Sequence, residues 1–196
     1  PVYGYWMANW LGWRVAYLIP GGLALLGLLF LTTFHHEAVT HNKSFKLKFT
    51  LTRAQIIIFS VASLWGFAHH GLFNFLPLYF ADSVKTGFGA VLGIGFLTGL
   101  VLLLGILGQL IGGQLGERFQ RKSLYIWVVA LNIPFLIMMA FYNETLLIGI
   151  TCILGAVNFM FQPVNNSLLA DETPTDQRGI IYGMSAGIGF GIGSLA

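Results

Sequence analysis

The chain has 196 residues, of which 56% are hydrophobic and 9% are charged, whereas soluble globular domains carry about 25% charged residues. This composition excludes a soluble globular protein and favours one that faces lipid. The formal charge of +3 lies in short segments between apolar stretches, so it does not form the basic face that would indicate a nucleic-acid partner.

Long uncharged stretches follow one another along the chain. They are residues 15–34, 54–81, 86–116, 123–143 and 145–170. A helix rises about 1.5 Å per residue, so about 20 apolar residues cross the hydrocarbon core. Each stretch is long enough to do so. The sequence therefore predicts an all-α, polytopic transmembrane helix bundle. Residues 1–13 and 179–196 are also apolar but lack a polar flank, and we expect them to be parts of helices cut by the ends of the sequence.

The positive charges predict the orientation of these spans. Because successive spans alternate in direction, their connections fall into two sets, one with eight Lys and Arg residues and the other with only Arg14 and Lys85. Cytoplasmic loops are enriched in Lys and Arg, so loops 35–53, 117–122 and 171–178 are predicted to be cytoplasmic. We expect a multi-pass protein of the plasma (inner) membrane.

Two spans carry polar or small residues at helical spacing. Span 54–81 has Ser63, Gly66, His70, Asn74 and Pro77 on one face. Span 145–170 has a longer stripe, formed by Thr151, Gly155, Asn158, Gln162 and Asn165, with Asn166 beside it. Hydrogen bonds that only hold helices together are one explanation. Because the second stripe runs for about four turns, we favour a water-filled cavity. Its predicted lining is Ser63, His70, Asn74, Asn158, Gln162, Asn165 and Asn166.

Glycines recur every four residues in two other segments. They are Gly95 and Gly99, then Gly108, Gly112 and Gly116, and later Gly183, Gly187 and Gly191. Small residues at this spacing allow helix backbones to approach closely. We therefore predict close helix contacts at Gly108, Gly112, Gly187 and Gly191.

Several short motifs resemble those of the major facilitator superfamily. The segment GGQLGERFQRK is similar to the family's cytoplasmic signature after a glycine-rich span, although Gln120 replaces a usual glycine. The matching residues are Gly113, Glu117, Arg118, Arg121 and Lys122. Gly12, Trp13 and Arg14 resemble the junction of helices five and six, and Pro1 and Gly4, with Trp13, resemble a remnant of the antiporter motif. Residues 170–183 resemble the connection between helices ten and eleven.

The resemblance implies a division of the chain. Residues 1–34 would be the end of helix five and helix six, residues 35–53 the central cytoplasmic loop, and residues 54–196 a truncated C-terminal bundle of helices seven to eleven. Helices one to four and twelve would lie outside the sequence. In the family, helices seven and ten line the central cavity, eight and eleven meet the other half, and six and nine lie outside.

The resemblance also implies a function. We expect a secondary transporter working by alternating access, with the charged motif from Gly113 to Lys122 biasing cytoplasmic closure. Its partners would be a small-molecule substrate, a coupling proton and the lipid bilayer, and the full-length protein would be a monomer. Neither a cofactor nor a metal is expected, and the protein is not expected to be an enzyme.

Coupling and direction stay open at this stage. No Asp or Glu lies inside the uncharged stretches, so His69 or His70 would carry a coupling proton, unless a carboxylate outside the chain does so or transport is uncoupled. For these histidines a structural role is the equal alternative. Proton-coupled export is one interpretation, and proton-coupled or uncoupled uptake of a small polar metabolite is the other. An intramembrane enzyme or a non-transporting membrane receptor is the alternative from another class.

Overall fold

The computed structural model describes residues 12–33 and 51–195. The predicted end of helix five, and the predicted central loop up to residue 50, lie outside these ranges. Helices make up nearly all of the described chain, and no strand occurs in it. They are α1 (Trp13–Thr33), α2 (Arg53–Ser83), α3 (Gly87–Leu92), α4 (Ile94–Arg118), α5 (Arg121–Phe141), α6 (Glu144–Asp171) and α7 (Arg178–Gly193).

Four of the described helices, α2, α4, α5 and α6, are long and apolar enough to cross a membrane. The prediction of an all-α, polytopic bundle is therefore confirmed. The chain forms two compact units, Pro1–Thr50 and Leu51–Ala196. In the first unit, α1 corresponds to the predicted span 15–34, and its apolar helical stretch, Leu18–Phe30, is shorter than the other four. In the second unit, α6 packs against α4 and α5, and α2 packs against α7.

The start of α2 is fixed by side chains on both sides of the helix boundary. The Thr52 hydroxyl accepts a hydrogen bond from the Gln55 backbone N–H, and the Gln55 side chain accepts one from the Thr52 backbone N–H. This capping box satisfies N–H groups that the first turn would otherwise leave without partners. The Gln55 amide also donates to the Glu172 carbonyl and the Thr173 hydroxyl, both at 3.1 Å. The start of α2 is thereby joined to the end of α6.

The predicted span 86–116 is divided between two helices, of which α4 is long and apolar enough to cross a membrane. Helix α3 ends at Leu92, and α4 begins at Ile94, with Gly93 between them at φ +81°. This left-handed conformation suits glycine because it has no Cβ. Uncharged length alone does not reveal such a break, since the residues on both sides are equally apolar.

An apolar core fills the half of the bundle predicted to be external. Leu76 and Phe80 of α2, Leu97 of α4, and Leu147 and Leu154 of α6 are at most 1% exposed. Leucine and phenylalanine side chains from three helices meet there, and their van der Waals contacts favour helix association in lipid. This half of the bundle is therefore closely packed.

Two of the predicted glycine contacts are confirmed, and the other two stay predictions. A Cβ at Gly108 would overlap the Ala156 carbonyl, and one at Gly112 would lie 2.9 Å from the Met160 carbonyl oxygen. Helix α4 therefore packs closely against α6 at both positions. At Gly187 and Gly191 a Cβ would meet nothing within 4 Å among the described atoms. Gly187 and Gly191 lie four residues apart as the sequence shows, but the face of α7 that carries them has no neighbour among the described residues.

Helices α2 and α7 do make a close contact, but through other glycines. A Cβ at Gly66 would overlap the carbonyl of Gly189, and a Cβ at Gly193 would lie 2.8 Å from the Gly66 carbonyl oxygen. Gly66 was assigned to a wet face of α2 from its spacing. Its actual neighbour is the backbone of α7, so this part of the predicted face is a helix contact.

Candidate functional site

A cavity of about 470 Å³ lies between α2, α6 and α7. Helix α2 contributes Ala62 and Trp65, and the rest of the lining comes from the last turns of α6 and from α7. The lining residues are Ala62, Trp65, Phe161, Gln162, Asn165, Asn166, Tyr182, Ser185, Ala186, Gly189 and Phe190. The lining residues lie in the part of each helix that is toward its predicted cytoplasmic end, marked by Arg53 in α2, Asp171 in α6 and Arg178 in α7. The cavity is therefore in the half of the bundle predicted to be cytoplasmic.

Three of the predicted cavity residues, Gln162, Asn165 and Asn166, line this space. Asn165 is 5% exposed, and its amide nitrogen lies 3.5 Å from the Ser185 hydroxyl. Its Oδ1 is buried and has no hydrogen-bond partner among the described residues. Gln162 accepts a hydrogen bond of 3.2 Å from Gln109 of α4. The end of the α6 stripe therefore presents amide groups to the cavity.

The other four predicted residues, Ser63, His70, Asn74 and Asn158, are not part of this lining. Asn158 is 4% exposed and bonds to two neighbouring helices. Its amide nitrogen donates to Asn132 Oδ1 at 3.1 Å, and its Oδ1 lies 2.6 Å from His69 Nδ1. Asn132 in turn donates to the Val128 carbonyl at 2.7 Å. Asn158 is thus enclosed in a chain of hydrogen bonds.

The direction of each hydrogen bond in this series determines which nitrogen of His69 carries a proton. Because the Asn158 amide nitrogen donates to Asn132, its oxygen faces His69 and can only accept. His69 Nδ1 must therefore donate, which leaves the lone pair of the neutral ring on Nε2. His69 is the histidine that connects α2 with α6, whereas the predicted cavity lining included His70 and not His69.

His70 faces α7 instead. Its ring lies edge-on to Phe190, with ring centroids 5.6 Å apart, and its Cδ2 is next to Gly193. The Nε2 atom of His70 is buried without a hydrogen-bond partner among the described residues. The two histidine rings touch edge to face, with centroids 5.4 Å apart, but adjacent residues on a helix point about 100° apart, so their other neighbours differ.

Aromatic side chains that the sequence analysis did not select form much of the cavity wall. The rings of Trp65 and Phe161 stack with centroids 4.3 Å apart and an angle of 13° between planes. Trp65 also stacks on His69 at 4.6 Å, and Tyr182 and Phe190 complete the wall from α7. Trp65 precedes His69 by four residues, so the two lie on the same face of α2. This spacing could have indicated that Trp65 lies near the polar stripe of α6.

The predicted charged motif joins α5 to the end of α6. Arg121 forms an ion pair with Asp171 and donates to the Ser167 carbonyl at 3.4 Å. Lys122 pairs with Glu172 at 3.1 Å. These acidic partners, Asp171 and Glu172, were not among the predicted residues, although they follow directly after an apolar span.

The remaining members of that motif make fewer contacts. Glu117 and Arg118 are exposed, and within residues 51–195 neither forms an ion pair. A Cβ at Gly113 would meet nothing within 4 Å of the described atoms. Arg178, outside the motif, donates to the Ala170 and Thr173 carbonyls at 3.2 and 3.4 Å. The connection between α6 and α7 is therefore held by backbone carbonyls.

Comparisons with known proteins agree with this architecture. The family model of the Major Facilitator Superfamily matches residues 1–196. A curated protein of Bacillus subtilis (strain 168), described as the uncharacterized MFS-type transporter YfnC, is 26% identical over 122 residues. This match covers 62% of the chain but only 29% of the length of YfnC. No solved structure gives a significant match. Because the family model matches the whole sequence, and the described helices form an apolar bundle, the chain belongs to the Major Facilitator Superfamily.

Proposed function

We propose that the full-length protein is a secondary transporter of the plasma membrane that moves a small solute by alternating access. In this proposal the cavity between α2, α6 and α7 is this chain's part of the solute path. The observation that carries the proposal is the cavity itself, with the amides of Gln162, Asn165 and Asn166 in its wall. Polar groups at this depth are costly in lipid, and contact with water or a solute would offset that cost.

The distribution of packing along the bundle supports this function. The predicted external half contains the apolar core around Leu76, Phe80 and Leu154, whereas the predicted cytoplasmic half contains the cavity. Alternating access requires one side of the solute site to be closed while the other side admits the solute. An apolar core in the predicted external half and a polar cavity in the predicted cytoplasmic half are the arrangement expected of an inward-facing state.

The cytoplasmic ion pairs fit the same mechanism. Arg121 with Asp171, and Lys122 with Glu172, join the beginning of α5 to the end of α6. We propose that these pairs keep the two helices together while solute enters, and that Glu117 and Arg118, which are exposed, pair with other parts of the protein when the cytoplasmic side closes. Charge pairs at a surface are weak, so they can break and re-form during transport.

For direction and coupling we propose export in exchange for protons, because Pro1, Gly4 and Trp13 resemble an antiporter motif. His69 is our candidate for the proton-carrying residue in this chain. It bonds to Asn158 of α6 and stacks on Trp65, a cavity residue, so a change in its charge would reach the cavity wall. In vesicles that contain the reconstituted protein, protons should move opposite to the solute. The compartment that the solute leaves should therefore become more acidic, and a pH-sensitive dye would report this change.

Cysteine accessibility in the full-length protein tests the proposed path. On a Cys152→Ala background, we expect Gln162→Cys and Asn166→Cys to react with a small water-soluble thiol reagent added to the cytoplasmic side of inverted vesicles. The control is Ile133→Cys on α5, where the native side chain is 56% exposed in the isolated bundle and is predicted to face lipid. It should react slowly.

Three outcomes are informative. Faster reaction at 162 and 166 than at 133, from the cytoplasmic side only, supports a solute path of the predicted orientation. Equal reaction at all three positions shows that the amides are packing groups and contradicts the proposal. Rapid reaction of Lys85→Cys from the cytoplasmic side would show that the predicted orientation is inverted.

A further inference from the structure

We propose that the cavity between α2, α6 and α7 binds an uncharged, planar ring, aromatic or heteroaromatic, that carries both a hydrogen-bond donor and an acceptor. This inference rests on the proposed function, since it names the class of solute for the same site. It is carried by three properties of the cavity wall: its charge, its aromatic content and two unpartnered polar atoms.

The first property is charge. None of the described residues that line the cavity has a carboxylate or a basic side chain, and the polar ones are amides, hydroxyls and an indole N–H. An ion that left water for this space would lose its hydration without gaining an opposite charge from these helices, which is costly. An uncharged group loses much less. The wall therefore selects against the charged form of a solute in this part of the path.

The second property is shape. Trp65, Phe161, Tyr182 and Phe190 contribute aromatic rings from all three helices. Phe190 is 50% exposed, so its ring is available to a ligand. Aromatic pairs in stacked or edge-to-face geometry gain about 0.5–1.5 kcal/mol beyond the burial of their area. Because Trp65 already stacks on Phe161 and His69, the exposed Phe190 ring is the one that a flat ring can stack on, and a puckered aliphatic ring would fit it less well.

The third property is a pair of unsatisfied atoms. The indole Nε1 of Trp65 is a donor, and Oδ1 of Asn165 is an acceptor. Both are buried without a hydrogen-bond partner among the described residues, and leaving such a group unpaired costs about 1–3 kcal/mol. Neighbouring atoms cover both in this structure, so the two side chains must adjust around a solute to use them. A solute with one acceptor and one donor would satisfy both atoms.

The volume is compatible with this class of solute. About 470 Å³ lies within the range of roughly 300–1,000 Å³ that is usual for small-molecule sites. A single substituted ring with a short polar substituent fits easily. The cavity also allows the rest of a larger solute to continue beyond these three helices.

A matched set of three probes tests the inference by equilibrium dialysis of the purified full-length protein. Benzamide is planar and uncharged and carries a donor and an acceptor. Benzoate has the same ring with a negative charge, and cyclohexanecarboxamide has the same amide on a puckered ring. We expect benzamide to bind at least threefold more tightly than either of the others.

Variants connect this preference to the named atoms. Trp65→Phe keeps an aromatic ring but removes the N–H, and Asn165→Leu removes the acceptor at similar size. Each should weaken benzamide binding about three- to tenfold, the effect of one hydrogen bond. The controls are Trp127→Phe, at a 63% exposed position on α5, and Asn143→Leu, at the exposed start of α6. Both should bind like the wild type.

The outcomes separate this inference from the proposed function. If benzoate or cyclohexanecarboxamide binds as tightly as benzamide, or if Trp65→Phe behaves like Trp127→Phe, the solute class is wrong. In that case the cysteines at 162 and 166 would still react from one side, and the transporter proposal would stand. If benzamide binds as expected but those cysteines react no faster than the control at 133, the binding site stands and transport through it does not.

Discussion

The polar stripe of α6 divides into two parts with different environments, although its spacing is uniform. In the part toward Glu144, Thr151 donates to the Leu147 carbonyl of its own helix, Gly155 packs against Val101, and Asn158 bonds to His69 and Asn132. In the part toward Asp171, the amides of Gln162, Asn165 and Asn166 line the cavity. One part holds helices together, and the other leaves a space between them.

This difference shows what helical spacing can and cannot predict. Spacing places residues on one face of a helix, but neighbouring helices determine whether that face is filled or hollow. In the first part Gly155 packs against Val101 of α4, and Asn158 bonds to His69 of α2 and Asn132 of α5, so three helices fill this face. Toward Asp171, α2 and α7 stand far enough from α6 to leave the cavity. The predictions below test this contrast between the packed part and the hollow part.

The largest effect should come from separating α4 from α6 at Ala156, next to the packed part. In Gly108→Leu the new side chain meets the Ala156 backbone, which cannot rotate away. We expect the free energy of unfolding to fall by about 3 kcal/mol or more, the upper range for overpacked sites. The matched control is Gly149→Leu on α6, where the added side chain has free space in the described structure. Thermal unfolding in detergent measures both, and equal midpoints would refute a close contact at Gly108.

A smaller loss of unfolding free energy is expected when Asn158, the central amide of the packed part, is replaced. Asn158→Leu leaves His69 Nδ1 and Asn132 Oδ1 buried without their partner, which should cost about 1–3 kcal/mol of unfolding free energy. In the double variant with Asn132→Leu, the second substitution should cost less than it does alone, because the bond between the two residues is already lost. Strict additivity in chemical unfolding experiments would show that the two amides are not coupled.

The ion pair at the predicted cytoplasmic end of the stripe should contribute still less to the unfolding free energy. Arg121 and Asp171 have side chains that are 35% and 49% exposed, and exposed pairs contribute about 0–1 kcal/mol. Asp171→Asn should therefore lower the unfolding midpoint slightly in low salt and not at all in about 1 M salt, where charges are screened. Asp176→Asn is the control, with no expected change. A loss that persists in high salt would indicate a role other than charge pairing.

The hollow part should give the smallest effect on stability. Gln162 is exposed, and its bond to Gln109 is accessible to water, so Gln162→Leu should change the unfolding free energy by less than about 0.5 kcal/mol. Solute transport by the same variant should nevertheless fall. A destabilisation equal to that of Asn158→Leu would remove the distinction between the two parts of α6.

The sequence predicted the fold class and three of the residues that line the cavity. A long uncharged stretch in lipid must satisfy its own backbone hydrogen bonds, and a helix does so within one segment. The all-α bundle was predictable for this reason. Gln162, Asn165 and Asn166 were found because an amide inside a span is rare and conspicuous.

The remaining features depend on how the helices are rotated and spaced. The choice between His69 and His70 depends on the rotation of α2 about its axis, which two adjacent identical residues cannot specify. Trp65 was missed because an aromatic residue in a span is compatible with lipid contact as well as with a cavity wall. The break at Gly93 depends on its backbone conformation, and span 86–116 contains many other glycines. Asp171 was missed because its pairing with Arg121 requires the packing of α5 against α6.

The contact between α2 and α7 also restricts how this sequence can change over generations. A mutation of Gly66 to alanine would place a methyl group on the Gly189 backbone, so no replacement at position 189 can compensate for it. The reverse change is different, because a methyl group at Gly189 would lie 3.7 Å from the Ala62 carbonyl oxygen, at ordinary contact distance. Alanine should therefore appear among descendants of this sequence at position 189 and be purged at position 66.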